Sequence, residues 1–146
     1  MENLLYKQVK ALCENEKDLI ANLSNISACL NENLDKINWV GFYIVKEGEL
    51  VLGPFQGKPA CIRIPFGKGV CGTCVEERKI QRVADVHKFK GHIACDSASN
   101  SEIVLPIFKN DEVVAVLDID SPIFDRFSED DEKQLSEVAD YITHLF

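Results

Sequence analysis

The spacing of apolar residues changes period as the chain is followed. Leu4, Leu5, Val9, Leu12 and Cys13 recur at the i, i+3, i+4 intervals of a helix face, and after a polar break at 14–17 so do Leu19, Ile20, Leu23, Ile26, Ser27 and Leu30. Two amphipathic helices are predicted. Cys13 and Cys29 sit on their apolar sides, where a free cysteine packs like a small hydrophobe. From Asn38 the pattern becomes that of strands. "WVGFYIV" (39–45) and "ELVLGPF" (49–55) flank a Lys-Glu-Gly turn in which Gly48 supplies the positive φ of a tight hairpin. "ACIRIPF" (60–66) reads as a further strand, and "GKG" (67–69) leads into a short helix from Val70 to Arg78. "IQRVADV" (80–86) is a short extended segment, and His87 to Ser101 is a polar loop. "EIVLPIF" (102–108) and "EVVAVLDID" (112–120) form a second hairpin about Asn110-Asp111. The chain ends in a helix with Ser128 as N-cap, acids in its first turn, and a buried stripe of Leu135, Val138, Ala139, Ile142 and Leu145.

This order predicts an α+β fold: one domain over 1–146, with helices in 1–35 and the sheet, active-site loops and last helix in 38–146. The central sheet is antiparallel, with the N- and C-terminal helices packed on one face. A chain of 146 residues is long enough to bury a core of its own. Its 24 acids against 16 bases give a formal charge of -8, which repels phosphate backbones and anionic bilayers. Nucleic acid and membrane are therefore not expected partners. The N-terminal residues lack the apolar centre of a signal peptide, and no run reaches the ~18 apolar residues of a membrane span. A cytoplasmic location follows, where thiols stay reduced. The six cysteines (13, 29, 61, 71, 74, 95) then read as packing, metal or redox residues rather than a disulfide frame.

Cys71 and Cys74 form a C-x-x-C pair in "GVCGTCVEE". With His87 and His92 downstream it fits a loose zinc spacing. A domain with its own core needs no finger to fold, however, and Gly91 interrupts the helix that would present both histidines. No metal is expected. A thioredoxin-like dithiol is the other reading. Cys71 at a helix start would have its thiolate favoured by the amide dipoles, but the surrounding strands are hairpins rather than a βαβ unit. His87 and His92 read as solvated loop residues.

The segment "GHIACDSASNSEIVLP" (91–106) is more informative, because its small residues let backbone N–H groups converge on an anion beside Cys95. Glu102 opens the following strand. Asp118 and Asp120, two apart on a strand, share a face of an otherwise apolar element. Buried carboxylates are costly without partners, so these acids either reach solvent at a strand end or line a pocket as cation binders or raised-pKa proton donors.

The stretches "NWVGFY", "LGPFQGKPACIRIPFGKGVCGT", "QRVADVHKFKGHIACDSASNSEIVLPI" and "VLDIDSP" closely resemble the free methionine-(R)-sulfoxide reductases, enzymes built on a single GAF domain. The resemblance runs from about Asn38 to the last helix. It implies reduction of free L-methionine (R)-sulfoxide, a repair of oxidised methionine, with Cys95 as nucleophile and Cys61 and Cys71 as resolving cysteines. Which of those two resolves first is left open, and Cys74 departs from the family pattern. The implied cycle passes through a cysteine sulfenic acid and an intramolecular disulfide reopened by thioredoxin, and needs no cofactor. The substrate is a zwitterion. Its ammonium calls for carboxylates from among Glu102, Asp118 and Asp120, with Glu102 and Asp120 also catalytic candidates. Its carboxylate would meet backbone amides at Ile93, Ala94 and Cys95, and its S-methyl an apolar wall from Trp39 and Tyr43, which lie four apart on one strand. A GAF-type small-molecule sensor without catalysis is the alternative. A homodimer through the N-terminal helices is a further expectation.

Overall fold

The computed structural model describes residues 2–93 and 97–146. Among them the chain forms α1 (Leu4–Cys13), α2 (Leu19–Asn33), β1 (Trp39–Lys46), β2 (Glu49–Gly57), β3 (Arg63–Pro65), α3 (Gly69–Glu77), β4 (Gln81–Val83), a 3-10 turn (Val86–Lys88), β5 (Ser101–Lys109), β6 (Glu112–Ser121) and α4 (Glu129–Thr143). The strands make one sheet in the order β3-β2-β1-β6-β5-β4, antiparallel throughout.

Local chemistry fixes the element ends. Asn3 accepts from the Tyr6 amide at 3.1 Å, and Asp18 from that of Ala21 at 2.9 Å. Ser128 and Asp131 exchange side-chain and backbone bonds in a capping box at the start of α4. In both hairpins the two central residues have positive φ, at Glu47 (53°) and Gly48 (81°) and at Asn110 (53°) and Asp111 (64°). That is the two-residue turn whose twist matches the flanking strands.

Strand alternation sorts side chains onto two faces. One carries Val40, Phe42, Ile103, Leu105, Ile107, Ala115, Leu117 and Ile119, which pack under α1, α2 and α4. Cys13 and Cys29 lie buried in this core. On the other face α3 covers Trp39, Tyr43, Val104 and Val116. The helical stripe is narrower than the spacing suggested. Leu4, Leu12 and Ile20 are exposed, and Leu145 is half-buried beyond the end of α4, because the sheet is covered by Leu5, Val9, Leu23, Ile26 and Leu30. The buried positions of α1 and α2 therefore belong to the intramolecular core, while Leu4, Leu12 and Ile20 stay on the surface.

Two strands are shorter than expected. Only Arg63–Pro65 of residues 60–66 pairs with β2, and only Gln81–Val83 of 80–86 pairs with β5. Residues 58–61 instead arch over the sheet, where the aromatics of β1 hold them. The short helix spans Gly69–Glu77, with Arg78 as its left-handed C-cap.

Gly41 lets β1 and β2 approach. A Cβ there would lie 2.3 Å from Phe55 Cβ and 2.8 Å from the Pro54 carbonyl oxygen. The register slips at this point, where Gly41 pairs with Phe55 but Tyr43 with Leu52, and the irregularity accommodates Pro54. Gly41→Ala should cost about 3 kcal/mol by overpacking, read as a lowered midpoint in denaturant unfolding. An unchanged midpoint would show that the strand pair yields freely.

Candidate active site

The polar residues of the second sheet face gather at one end. Glu102 on β5 pairs with Asp120 on β6, Val104 with Asp118, and β1 places Trp39 opposite Asp120 and Gly41 opposite Asp118. The three acids and both aromatics are thus neighbours across three central strands, and α3 closes over them with Cys71 in its first turn. Together they line a cavity of about 40 Å³, to which Ala60, Ile64, Lys68, His92, Ile93 and Ser99 also contribute. Glu102, Asp118 and Cys71 are buried and Asp120 is half-buried.

Burial, together with the facing carboxyls of Asp118 and Asp120, holds the Glu102 carboxyl well above the ordinary carboxylate range. Burial also raises Asp118, against the opposing effect of hydrogen-bonding contacts with Glu102 and Cys71. Two carboxyls and a thiol can make such contacts only while protons are shared among them. As a bare carboxylate, Asp118 would bury its Oδ1 with no donor among the described residues.

Cys71 behaves differently from the expectation that the helix start would favour its thiolate. Its position in the first turn of α3 is as expected. Full burial, and then the charges of Asp118, Glu102 and Asp120, nonetheless push the thiol well up, because loss of solvent and three nearby acids outweigh a few amide dipoles. Cys74 is fully buried on the same helix with its Sγ 3.7 Å from the Val104 carbonyl oxygen, and burial raises its thiol too.

The β1 aromatics do more than wall the cavity. Trp39 Nε1 donates to the Lys58 carbonyl at 3.1 Å, and the Tyr43 hydroxyl donates to the Cys61 carbonyl at 2.8 Å. Phe55 stacks on Trp39 at 5.1 Å, and Trp39 on Tyr43 at 5.9 Å. This stack fixes the arch carrying Cys61, which is half-buried and disulfide-bonded, whereas Cys13, Cys29, Cys71 and Cys74 are free. On the opposite rim, the Gly69 amide donates to the Gly91 carbonyl, Asn38 Nδ2 donates to Ser99 Oγ at 3.1 Å, and the Asn100 amide bonds the Ser121 carbonyl. The loop that feeds β5 is thus tied to α3, β1 and β6.

The structure brings together Trp39, Tyr43, Cys71, Ile93, Glu102, Asp118 and Asp120 of the residues expected from sequence. Cys61 lies on the arch held by Tyr43. Ala94 and Cys95 lie outside the described residues. His92 was expected in solvent but is half-buried at the cavity wall, its imidazolium disfavoured by burial and by His87. Ser99 and Ile64 also went unrecognised, since a loop serine or a strand isoleucine carries no sign of the cavity it will face. The zinc spacing does not assemble as a set: Cys74 faces Val104 in the core, and His87 reaches the side chain of Asn100.

The sequence matches the GAF-domain family over residues 26–146. Protein YtsP of Bacillus subtilis is 58% identical over 139 residues, covering 94% of this chain and 85% of that protein. The free methionine-R-sulfoxide reductase of Escherichia coli is 54% identical over 135 residues, covering 92% of this chain and 82% of the relative. Among solved structures, fRMsr of Staphylococcus aureus in complex with substrate superposes with a TM-score of 0.93 at 60% identity, covering 97% of this chain and 93% of that one.

Proposed function

The chain belongs to the free methionine-R-sulfoxide reductases, enzymes built on a GAF domain, and from that membership we propose that it reduces free L-methionine (R)-sulfoxide through Cys95 and Cys61, with Glu102 as proton donor. The observation that carries this reading is the convergence of three carboxyls on one small cavity beneath an aromatic stack, with the Cys61 arch pinned above it.

The chemistry accounts for each group. The Cys95 thiolate attacks the sulfoxide sulfur, and the oxygen must be protonated to transfer. A buried carboxyl that keeps its proton near neutral pH is suited to supply one. The products are methionine and a Cys95 sulfenic acid, so the sulfur of the substrate gains the two electrons that the thiol loses. Cys61 then displaces the oxygen as water and closes a disulfide, which the dithiol of thioredoxin reopens by exchange. Two features favour Cys61 over Cys71 in this step: Cys61 is already oxidised here, and Cys71 is a free, fully buried thiol held in its protonated form.

The substrate ammonium is bound by Asp120 at the half-buried edge of the acid cluster, with Asp118 behind it. The S-methyl meets Trp39, and the substrate carboxylate meets the amides following Ile93. Binding both charged ends of an amino acid requires a free one, because a peptide linkage removes both charges. A thioredoxin-coupled assay should therefore show turnover with the free (R)-sulfoxide at least about 100-fold above a peptide-bound sulfoxide, since a site built around charged groups rejects analogues lacking them by large factors. The preference for the (R)- over the (S)-epimer is expected from the family membership alone. Equal turnover of the peptide would overturn the assignment. Ligand binding without turnover would favour the sensor.

A further inference from the structure

We propose that the reduced protein holds a borderline-soft divalent cation of the zinc type on Cys71 Sγ and one carboxylate oxygen each of Glu102 and Asp118, with the cavity as its open fourth position. These donor atoms lie within 4.8 Å of one another. Their residues are 4%, 8% and 5% exposed, and each comes from a different rigid element: α3, β5 and β6. A tetrahedral zinc ion with bonds of about 2.0–2.3 Å needs donor separations near 3.5 Å. Side-chain adjustments of about 1 Å would close the set, at the modest cost of turning each side chain ~30° from its rotamer.

An independent observation points the same way. Asp118 Oδ1 is buried with no hydrogen-bond partner among the described residues. A cation held by the three side chains would give that oxygen a partner. The sulfur donor decides the class: thiolate with carboxylate suits zinc, cobalt(II) or cadmium, whereas magnesium and calcium seek six or more oxygens. The same cavity takes the substrate in the proposed function, so the ion and methionine sulfoxide exclude each other. This consequence rests on that reading; the cation site itself does not.

The test uses cobalt(II) added to the full chain after reduction with a phosphine and removal of the reductant. One equivalent should bind, with thiolate-to-cobalt charge-transfer absorption in the near ultraviolet. The band should disappear in Cys71→Ser, persist in Cys74→Ser and in the double variant Cys61→Ser/Cys95→Ser, and need at least about tenfold more cobalt in Glu102→Gln, as loss of even an outer-shell partner of a metal ligand typically costs 10- to 100-fold. Thermal melts of each variant show that the fold is kept, and Glu102→Gln reports on the site should Cys71→Ser fail to fold. No band in the parent, or a band that survives Cys71→Ser and vanishes with the Cys61/Cys95 pair, overturns the site. A protein that binds cobalt as described but reduces no sulfoxide would refute the proposed function and leave the cation site standing. An active reductase without the band does the reverse.

Discussion

Cys95→Ser is expected to abolish methionine formation from the free (R)-sulfoxide, by at least about three orders of magnitude, while leaving the thermal melt unchanged. A serine hydroxyl at neutral pH has almost no oxyanion form and far lower affinity for sulfur than a thiolate, and deletion of a nucleophile that acts with its partners as a unit costs most of the chemical acceleration. No neighbouring thiol can substitute. Cys71 is buried and its thiol is held protonated by burial and three acids. Cys74 is buried against Val104, and Cys61 has the resolving role in the proposed cycle. Turnover within tenfold of the parent would place the nucleophile elsewhere and dismantle the proposed cycle.

The second large effect is expected from Glu102→Gln, and it has opposite signs in activity and stability. Glutamine keeps the shape but has no acidic proton, so kcat/KM should fall by about 10²- to 10³-fold, within the usual range for a lost general acid. With Glu102 as the donor, ionisation of its carboxyl is expected to set the alkaline limb of the parent's pH profile, and that limb should vanish in the variant. Stability moves the other way. The folded-state pKa of Glu102 lies well above its unfolded value, so between the two values the folded chain binds more protons than the unfolded one. Its contribution is fully present below the ordinary carboxylate range and is lost as pH rises through the folded value. Glutamine has no such dependence, so the melting temperature of the variant should exceed that of the parent by a margin that grows with pH across this window. A variant that loses activity but shows no growing margin would mean that Glu102 is not held protonated by the fold. An unchanged alkaline limb would assign proton donation to another group.

The two expectations divide the site as the fold divides it. The acids sit on the central strands and the partner thiols on segments laid over them: Cys71 on α3, and Cys61 on the arch tied down by Trp39 and Tyr43. The strands fix Glu102, the proposed proton donor, while Cys61, the proposed resolving cysteine, lies in a segment whose backbone carbonyls accept from Trp39 and Tyr43.

Much of this was set by local sequence. Period-3.6 and period-2 spacing, caps such as Ser128 and turn pairs such as Asn110-Asp111 act over a few residues, so they could be read without knowing what lies opposite. The strand parity of Asp118 and Asp120 likewise put both on one face, and long contiguous motifs identified the family. Other features depended on residues far apart in the chain. His92 became half-buried because the loop was drawn to the Gly69 amide, and residues 60–66 formed only a short strand because the β1 aromatics claimed the backbone before it. The protonation of Glu102 and Cys71 required β5, β6 and α3 to meet with water excluded, since a pKa responds to solvation and neighbouring charge summed in three dimensions. Short-range chemistry chose the elements; long-range desolvation set the ionisation preferences of Glu102 and Cys71.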